Sequence, residues 1–460
     1  MNNDIQENLQ LDNTENNHNK FLKNVWWLAV GKAGYILLSF LVTLTVVRYL
    51  GPYDFGTINY VDAYVKFAVI IATFGLDVIV VKEVAAGKKD GNKVLWTALI
   101  IRLVLGTVLG IGITCLMYIT DGDDPDIIKI AVLESILLVF TAFHSFFEFF
   151  QARLLSKWNA IAEMSAYLGT SIFRVILLVL KADVVWFAFA TSLDMIILVF
   201  ILGTVYVKKN GFHPTFNRAE AKSLMSQSWY YMIAGLLTVA FTQIDRIMIE
   251  KIMGRTDLGE YSVTINFMSL WIQAASVLTQ AAIPVIHKAF LNSKEMYLRR
   301  LRQSYAVILW MNLIFAALVC IFARPIILVF YGESYLGAVG TLRISVWHYG
   351  LSTVALITQA HLSNEKKGFY IIWLCTVGIL ADVGLNVLLI PVMGIEGAAL
   401  STLITQLIIQ FLLPLIFKGM RECGTEMARG LILWKVLNRD EWNGIRKSFK
   451  AMAKKVFRKK

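Results

Sequence analysis

Ten charged side chains interrupt long apolar stretches of this chain, and they are the residues best suited to chemistry. Because a charge at the centre of a bilayer costs about 2.5 to 3.5 kcal/mol on insertion scales, such residues usually face a bundle interior or a water-filled cavity. Cations gathered in such a cavity could bind an anionic group, for example a phosphate or diphosphate. The five cations are Lys32, Lys66, Arg102, Arg174 and Arg246, and the five anions are Asp62, Glu134, Asp194, Asp245 and Asp382.

Two pairs among these residues lead to more specific expectations. Asp62 and Lys66 stand four positions apart, on one face of a helix, and can neutralise one another. Asp245 and Arg246 are adjacent and point in different directions, so we expect one of them to face the cavity. Each cation can instead snorkel, which lifts its charge to the membrane surface. Four of the five cations lie in the first half of the chain, and this favours an anionic substrate.

Aspartates within the spans suggest a separate role. An ionisable group that faces a hydrated cavity is a natural part of an ion pathway or proton relay. Asp62, Asp194 and Asp245 are therefore our candidates for coupling to a proton or a sodium ion.

The elements that must position these residues are membrane-spanning helices. Of the 460 residues 57% are hydrophobic and 17% are charged, with a mean hydropathy of +0.62, whereas soluble domains are about 45–50% apolar and about 25% charged. A bilayer requires roughly 20 apolar residues per helix. By that criterion we predict twelve spans, near residues 25–49, 58–81, 94–119, 128–151, 159–180, 184–206, 224–250, 259–286, 303–330, 338–361, 369–390 and 395–417.

The distribution of lysine and arginine gives these spans an orientation. Five of the predicted loops hold seventeen Lys and Arg residues, and the six loops that alternate with them hold seven and include the acidic stretch DGDDPD. Since cytoplasmic loops carry the excess of positive charge, we predict a multi-pass membrane protein with both termini in the cytoplasm.

A short pattern, G-x-x-D-x-G, occurs twice and indicates an internal repeat. GPYDFG begins at Gly51 and GRTDLG begins at Gly254, 203 positions later, and each follows a basic residue by three positions. Six predicted spans separate the copies, so both face outward. This parity is typical of a parallel repeat with a binding cavity between the halves; the alternative is a chance recurrence of common turn residues.

The predicted fold is therefore all-α and integral to the membrane, with twelve transmembrane helices in two six-helix bundles related by a parallel pseudo-two-fold repeat. The expected divisions are a disordered N-terminal tail (1–20), a first lobe (21–207), a cytoplasmic linker (208–223), a second lobe (224–420) and a basic amphipathic tail (421–460).

Several function classes are disfavoured. The chain has no G-x-x-x-x-G-K-[ST] and no H-E-x-x-H, and its four cysteines are scattered, so we expect no P-loop ATPase, metal site or cofactor. The predicted outer loops are too short for a catalytic subdomain, which argues against an enzyme. Residues 418–460 carry thirteen Lys and Arg against four Asp and Glu. This excess predicts contact with anionic lipid headgroups rather than nucleic acid, and docking of polysaccharide assembly proteins is the alternative.

Several segments resemble, in their order along the chain, the bacterial polysaccharide transporters of the Wzx O-antigen and capsule flippase type. That family belongs to the superfamily that also contains the multidrug and toxin exporters (MATE) and the lipid II flippases. The resemblance covers about residues 20 to 420 and is carried by FLKNVWWLAVGKAGYILLSFLVTLTVVRYLGPYDFGTINY, FGLDVIVVKEVA, TQIDRIMIEKIMGRTDLGEYSV, RPIILVFYGESYLGAV and LLIPVMGIEGAALSTLITQ.

The resemblance implies a two-lobe flippase that moves undecaprenyl-diphosphate-linked oligosaccharide from the cytoplasmic to the outer leaflet by alternating access. It implies a location in the bacterial cytoplasmic membrane and an ion gradient as the driving force, with H⁺ or Na⁺ as the coupling ion. The alternative is an ion-coupled multidrug exporter of the MATE type. An exporter of cationic drugs would need an anionic cavity, and the excess of cations in the first half argues against it.

Overall fold

The computed structural model describes residues 40–87 and 90–432, and every regular element within these ranges is a helix. The all-helical fold predicted from the sequence is thus confirmed for this part of the chain. The helices are α1 (described from residue 40 to 73), α2 (Leu76–Ala86), α3 (Gly91–Asp121), α4 (Pro125–Phe140), α5 (Ser145–Ala152), α6 (Ser156–Val179), α7 (Val184–Asn210), α8 (Arg218–Met253), α9 (Arg255–Asn292), α10 (Lys294–Phe330), α11 (Ala338–Asn364), α12 (Phe369–Met393), α13 (Ile395–Leu407), α14 (Leu413–Ile416) and α15 (Arg421–Gly430).

Ten helical segments of the described chain are long and apolar enough to cross a membrane. The difference from the twelve predicted spans has two sources. The segment Phe40–Ala86 is counted once, although it covers the end of the first predicted span and all of the second. Helix α11 is 27 residues long but is not among the ten. Residues 25–39 of the first predicted span lie outside the described residues.

The expected outer loop at GPYDFG is in fact a bend within helical chain. Gly51 has a φ of 73°, and helix continues on both sides of it. Pro52 follows directly; its fixed φ and missing N–H suit the first position of a helix. The chain therefore turns at Gly51 and continues as a helix without an intervening loop.

Short connections elsewhere are fixed by side chains that cap helix N-termini. The carboxylate of Asp90 accepts from the N–H of Asn92 at the start of α3, and the amide oxygen of Asn217 accepts from two N–H groups at the start of α8. Such caps each stabilise a helix by about 1 kcal/mol. Because α7 ends at Asn210 and α8 begins at Arg218, only residues 211–217 of the predicted linker are non-helical.

Buried apolar side chains form three clusters, and their membership reveals the architecture. One cluster contains residues from α2 to the start of α8, such as Leu76 and Tyr206. A second contains only residues from α9 onward, such as Tyr305. The third combines residues of both halves of the chain, among them Val47 and Ile327. With the ends named by the predicted topology, the halves share one core at the outer end, and at the cytoplasmic end only the start of α8 joins the cluster of the first half.

The C-terminal part of the described chain is attached to the second half. Glu426 of α15 accepts from Arg302 of α10 at 2.6 Å, so the first ten residues of the predicted tail pack against a helix rather than extending freely. The rest of that tail, from residue 433, and the N-terminal tail lie outside the described residues. The domain boundaries drawn from the sequence stay predictions.

Candidate functional site

A cavity of about 200 Å³ lies between the two halves of the chain. Residues of α1, α4, α6 and α7 line it from the first half, and Arg246 of α8 and Asn266 of α9 line it from the second. The lining is Thr43, Val46, Val47, Leu50, Phe55, Ile58, Asn59, Asp62, Lys66, Glu134, Arg174, Phe187, Thr191, Arg246 and Asn266. Five of these fifteen side chains are ionisable, three as cations and two as carboxylates, in agreement with the expectation that buried charges gather at a cavity.

Asp62 is the centre of the ionic contacts in this cavity. One of its carboxylate oxygens, Oδ2, accepts from Lys66 Nζ at 2.6 Å and from Arg246 Nη1 at 3.1 Å. Lys66 is one turn away on α1, so the predicted pairing is present, but Arg246 joins it from the other half of the chain. Asp62 thus holds two cations and connects the two halves.

Glu134 and Arg174 complete the charged lining. Glu134 of α4 is 2% exposed, and its Oε2 has no hydrogen-bond partner among the described residues. Arg174 lines the cavity from α6 and also interacts electrostatically with Asp194 of α7. Asp194 itself is not part of the lining and accepts from Thr170 at 3.4 Å. Sequence reasoning recognised Glu134 as an intramembrane anion but did not count it as a site residue.

Arg102, a further predicted cavity cation, does not line the cavity between the two halves. Its side chain is 0% exposed, and it donates to Glu148 at 2.8 Å, to Asp77 at 2.9 Å and to Ser145 at 3.0 Å. These contacts join α3 to α2 and α5 inside the first half. The expectation that Arg102 faces the cavity is therefore not met, because the buried Glu148 and the half-exposed Asp77 neutralise it. Lys32, the remaining predicted cation, lies outside the described residues.

A second ionic cluster surrounds Asp245 in the second half. Asp245 Oδ1 accepts from Asn386 at 2.7 Å, and Oδ2 accepts from Tyr261 at 2.9 Å and from Thr402 at 3.0 Å. Asp245 therefore points into the second half while its neighbour Arg246 points into the cavity, which explains how two adjacent charges are accommodated.

Asp382 adds a second carboxylate to this cluster. It lies one turn before Asn386 on α12, is 0% exposed, and its carboxylate lies beside that of Asp245 and the hydroxyls of Thr402 and Thr405. The buried Oδ1 of Asn386 has no hydrogen-bond partner among the described residues. Buried polar atoms are normally satisfied, so this group of oxygens suits a proton or a hard cation, which prefers oxygen ligands.

Two other groups of acidic and histidine side chains come close together within the described chain, and both are already neutralised. Asp77, His144 and Glu148 surround the guanidinium of Arg102. Glu365 and Glu422, near His361, pair with Lys367 at 2.6 Å and Lys294 at 2.5 Å. A metal ion would have to displace these cations, so neither group is well suited to one.

Comparisons with known proteins find relatives of this sequence. The sequence model of a family described as "Polysaccharide biosynthesis protein" matches residues 21–290. A Klebsiella pneumoniae protein described as "Uncharacterized membrane protein in cps region" is 22% identical over 338 residues, which cover 71% of this chain and 67% of that protein.

Solved structures of transporters share the fold. An inward-facing MATE family transporter of the MOP superfamily has a TM-score of 0.63 at 16% identity, covering 86% of this chain and 95% of its own. The lipid II flippase MurJ in an inward closed conformation has a TM-score of 0.62 at 13% identity, covering 93% of this chain and 97% of its own. At these identities the likeness establishes the fold alone.

Proposed function

Since the chain belongs to the polysaccharide biosynthesis protein family, we propose that it is a flippase for lipid-linked oligosaccharides. Its substrate is an undecaprenyl-diphosphate-linked repeat unit, moved from the cytoplasmic to the outer leaflet of a bacterial cytoplasmic membrane by alternating access. The product supplies synthesis of an O-antigen, capsule or exopolysaccharide. In this role the protein moves its substrate without making or breaking a covalent bond.

One observation carries the proposal: Lys66, Arg174 and Arg246 line a single cavity between the two halves. A diphosphate headgroup cannot cross hydrocarbon without compensating charge, and charge-assisted hydrogen bonds from guanidinium and ammonium groups supply it. Three cations against two carboxylates leave the cavity with an excess of positive charge even when both carboxylates are ionised. The apolar lipid chain can remain in the bilayer while the headgroup occupies the cavity.

Asp62 suggests how binding is linked to movement. Its carboxylate lies between Lys66 and Arg246. A diphosphate competes for the same two cations and, once bound, is held by both halves of the chain. A ligand shifts a conformational equilibrium only through contacts that differ between the states, and an anion held jointly by the two halves provides such contacts.

The cluster of Asp245 and Asp382 is our candidate for ion coupling. Two carboxylates in one buried site cannot both stay ionised without a compensating cation, so the cluster favours uptake of H⁺ or Na⁺. Because Asp245 and Arg246 are adjacent on α8, a change at this cluster is transmitted directly to the cavity. Of the predicted coupling residues, Asp62 therefore serves the headgroup and Asp245 serves the ion. Asp194 belongs neither to the cavity lining nor to the Asp245 cluster. It interacts with Arg174 and helps to position that cation.

A multidrug exporter of the MATE type remains the second candidate, because it shares the fold. The cavity argues against it, since a site for cationic drugs needs an excess of carboxylates rather than of cations.

The decisive experiment is transbilayer movement of an undecaprenyl-diphosphate oligosaccharide in vesicles that contain the purified protein. Arg246→Ala and Lys66→Ala are expected to abolish movement, whereas Arg343→Ala, which removes an exposed cation outside the cavity, is expected to leave it unchanged. If no lipid-linked sugar moves and the protein instead exports small organic cations, the flippase function is rejected in favour of the multidrug exporter.

A further inference from the structure

The two copies of the repeated motif touch one another at the outer end of the molecule. A methyl group added at Gly56 would overlap the carbonyl oxygen of Arg255, and one added at Gly259 would overlap the carbonyl oxygen of Pro52. Pro52 and Arg255 hold the same position in their copies, as do Gly56 and Gly259. The contact is therefore reciprocal, as in a two-fold interface where each surface meets its equivalent.

The first and last glycines of each copy serve different purposes. Gly51 and Gly254 have φ values of 73° and 98°, which glycine adopts without strain, and a methyl group there would meet nothing within 4 Å. They let the chain bend into the helix that follows. Gly56 and Gly259 instead allow the two backbones to approach closely, because any side chain at either position would hold them apart.

Ion pairs on both sides of this contact join the same two halves. Arg255 donates to Asp124 and, at 2.8 Å, to the hydroxyl of Tyr53. Lys251 donates to Asp121 at 3.1 Å and lies 5.0 Å from the centre of the Tyr60 ring. The basic residue that precedes the second motif copy thus has a partner in the first half.

The contact lies directly over the central cavity. Leu50 directly precedes the first motif copy and Phe55 belongs to it, and both side chains line that cavity. The first motif copy therefore forms part of the wall of this cavity, beside the place where the two copies meet.

We propose that the paired motifs, residues 51–56 and 254–259, are an outer latch that closes the cavity when the backbones meet and opens when they part. The closest contact of the latch is backbone against backbone, and the ion pairs beside it have partly exposed members that water can solvate after separation. The proposal rests on the alternating-access part of the proposed function but is testable without any lipid substrate.

The test measures access to the cavity from outside. In a full-length variant whose four native cysteines are replaced, Thr191→Cys places a thiol in the cavity lining, and an impermeant maleimide is added to the outside of intact cells. With the latch glycines intact, labelling is expected to be slow. Gly56→Ala and Gly259→Ala are each expected to raise the labelling rate at least tenfold, because closure becomes sterically blocked.

Gly112→Ala is the matched control, since a methyl group there meets nothing within 4 Å, and it should leave labelling unchanged. Asp124→Asn gives a second approach that needs no glycine substitution: it removes an ion-pair partner of Arg255 and should also raise the labelling rate. Rapid labelling with intact glycines, or no increase in well-folded alanine variants, would overturn the latch. If the labelling rate depends on the latch glycines but no lipid-linked oligosaccharide moves in the vesicle assay, the latch is supported and the proposed flippase function is rejected.

Discussion

Asp62 of α1 and Arg246 of α8 form an ion pair at 3.1 Å across the boundary between the two halves of the chain. The same carboxylate oxygen holds Lys66 at 2.6 Å. The carboxylate of Asp62 therefore lies at the place where the two cations converge, and the proposed anionic substrate would compete with it.

Asp62→Asn is expected to strengthen binding of anions while slowing transport. Without the competing carboxylate, affinity for inorganic pyrophosphate should rise about tenfold, which corresponds to ~1.4 kcal/mol, and movement of the lipid-linked substrate should slow because nothing displaces it afterwards. Titration calorimetry on the purified protein measures the first effect and vesicle assays the second. Asp126→Asn makes the same charge change away from the cavity and should have neither effect. Weaker binding in Asp62→Asn would contradict the competition.

Arg102→Met is expected to destabilise the protein rather than to affect substrate binding. Removing one member of a buried ion group leaves charges unpaired and costs about 3–5 kcal/mol. Thermal unfolding of the purified protein should show a large loss of stability. Adding Asp77→Asn and Glu148→Gln should recover much of it, since no unpaired charge then remains. If the Arg102→Met protein is stable but does not bind pyrophosphate, Arg102 takes part in substrate binding and this prediction is wrong.

Asp382→Asn is expected to uncouple transport from the ion gradient. With one carboxylate neutralised, the cluster around Asp245 no longer requires a cation, so movement driven by the lipid gradient should persist while stimulation by an imposed Na⁺ or pH gradient disappears. Vesicle assays with and without each gradient distinguish the two ions. If Glu134→Gln removes the stimulation and Asp382→Asn does not, the coupling ion binds in the central cavity instead.

Strong acidity outside is expected to loosen the outer latch. Burial alone would raise the pKa of Asp124, but the hydrogen bond and charge of Arg255 outweigh it and hold the pKa below its ordinary value of 3.8. A lowered carboxyl pKa means that the pair stabilises the closed latch above that value and stops doing so as pH falls through the lowered pKa.

Spin labels at Lys181→Cys and Glu333→Cys, on opposite halves at the outer end, can report this change in a background without native cysteines. The fraction of long distances should rise as the pH is lowered below about 4. Asp124→Asn should show the raised fraction already at neutral pH and little further change. A pH-independent distance distribution in the protein with Asp124 intact would exclude this pair as part of the latch.

The fold was largely predictable because hydrophobic length, loop charge and motif order each constrain it. The family match confirms the resemblance to polysaccharide transporters. The bend at Gly51 was not predicted, because a glycine followed by a proline between apolar runs is equally typical of a loop. The chain remains helical there because Pro52 can begin a helix directly after a glycine of positive φ.

The site was predictable only in part, because composition identifies buried charges but not their partners. Lys66, Arg174 and Arg246 were found together in one cavity, whereas Arg102 was not distinguishable from them in the sequence. Its partners Asp77 and Glu148 are 25 and 46 positions away, and only the folded chain brings them within reach. Asp382 and Asn386 share one helical face, a signal that could have identified the second cluster.

The large apolar core that both halves share at the predicted outer end has a kinetic consequence. Opening toward the outside has to hydrate apolar surface that both halves bury together, whereas at the predicted cytoplasmic end only the start of α8 packs into the cluster of the first half. Hydrating apolar surface raises the heat capacity. The slow step of transport is therefore expected to be outward opening, and its rate should depend on temperature along a curved rather than a straight Arrhenius line.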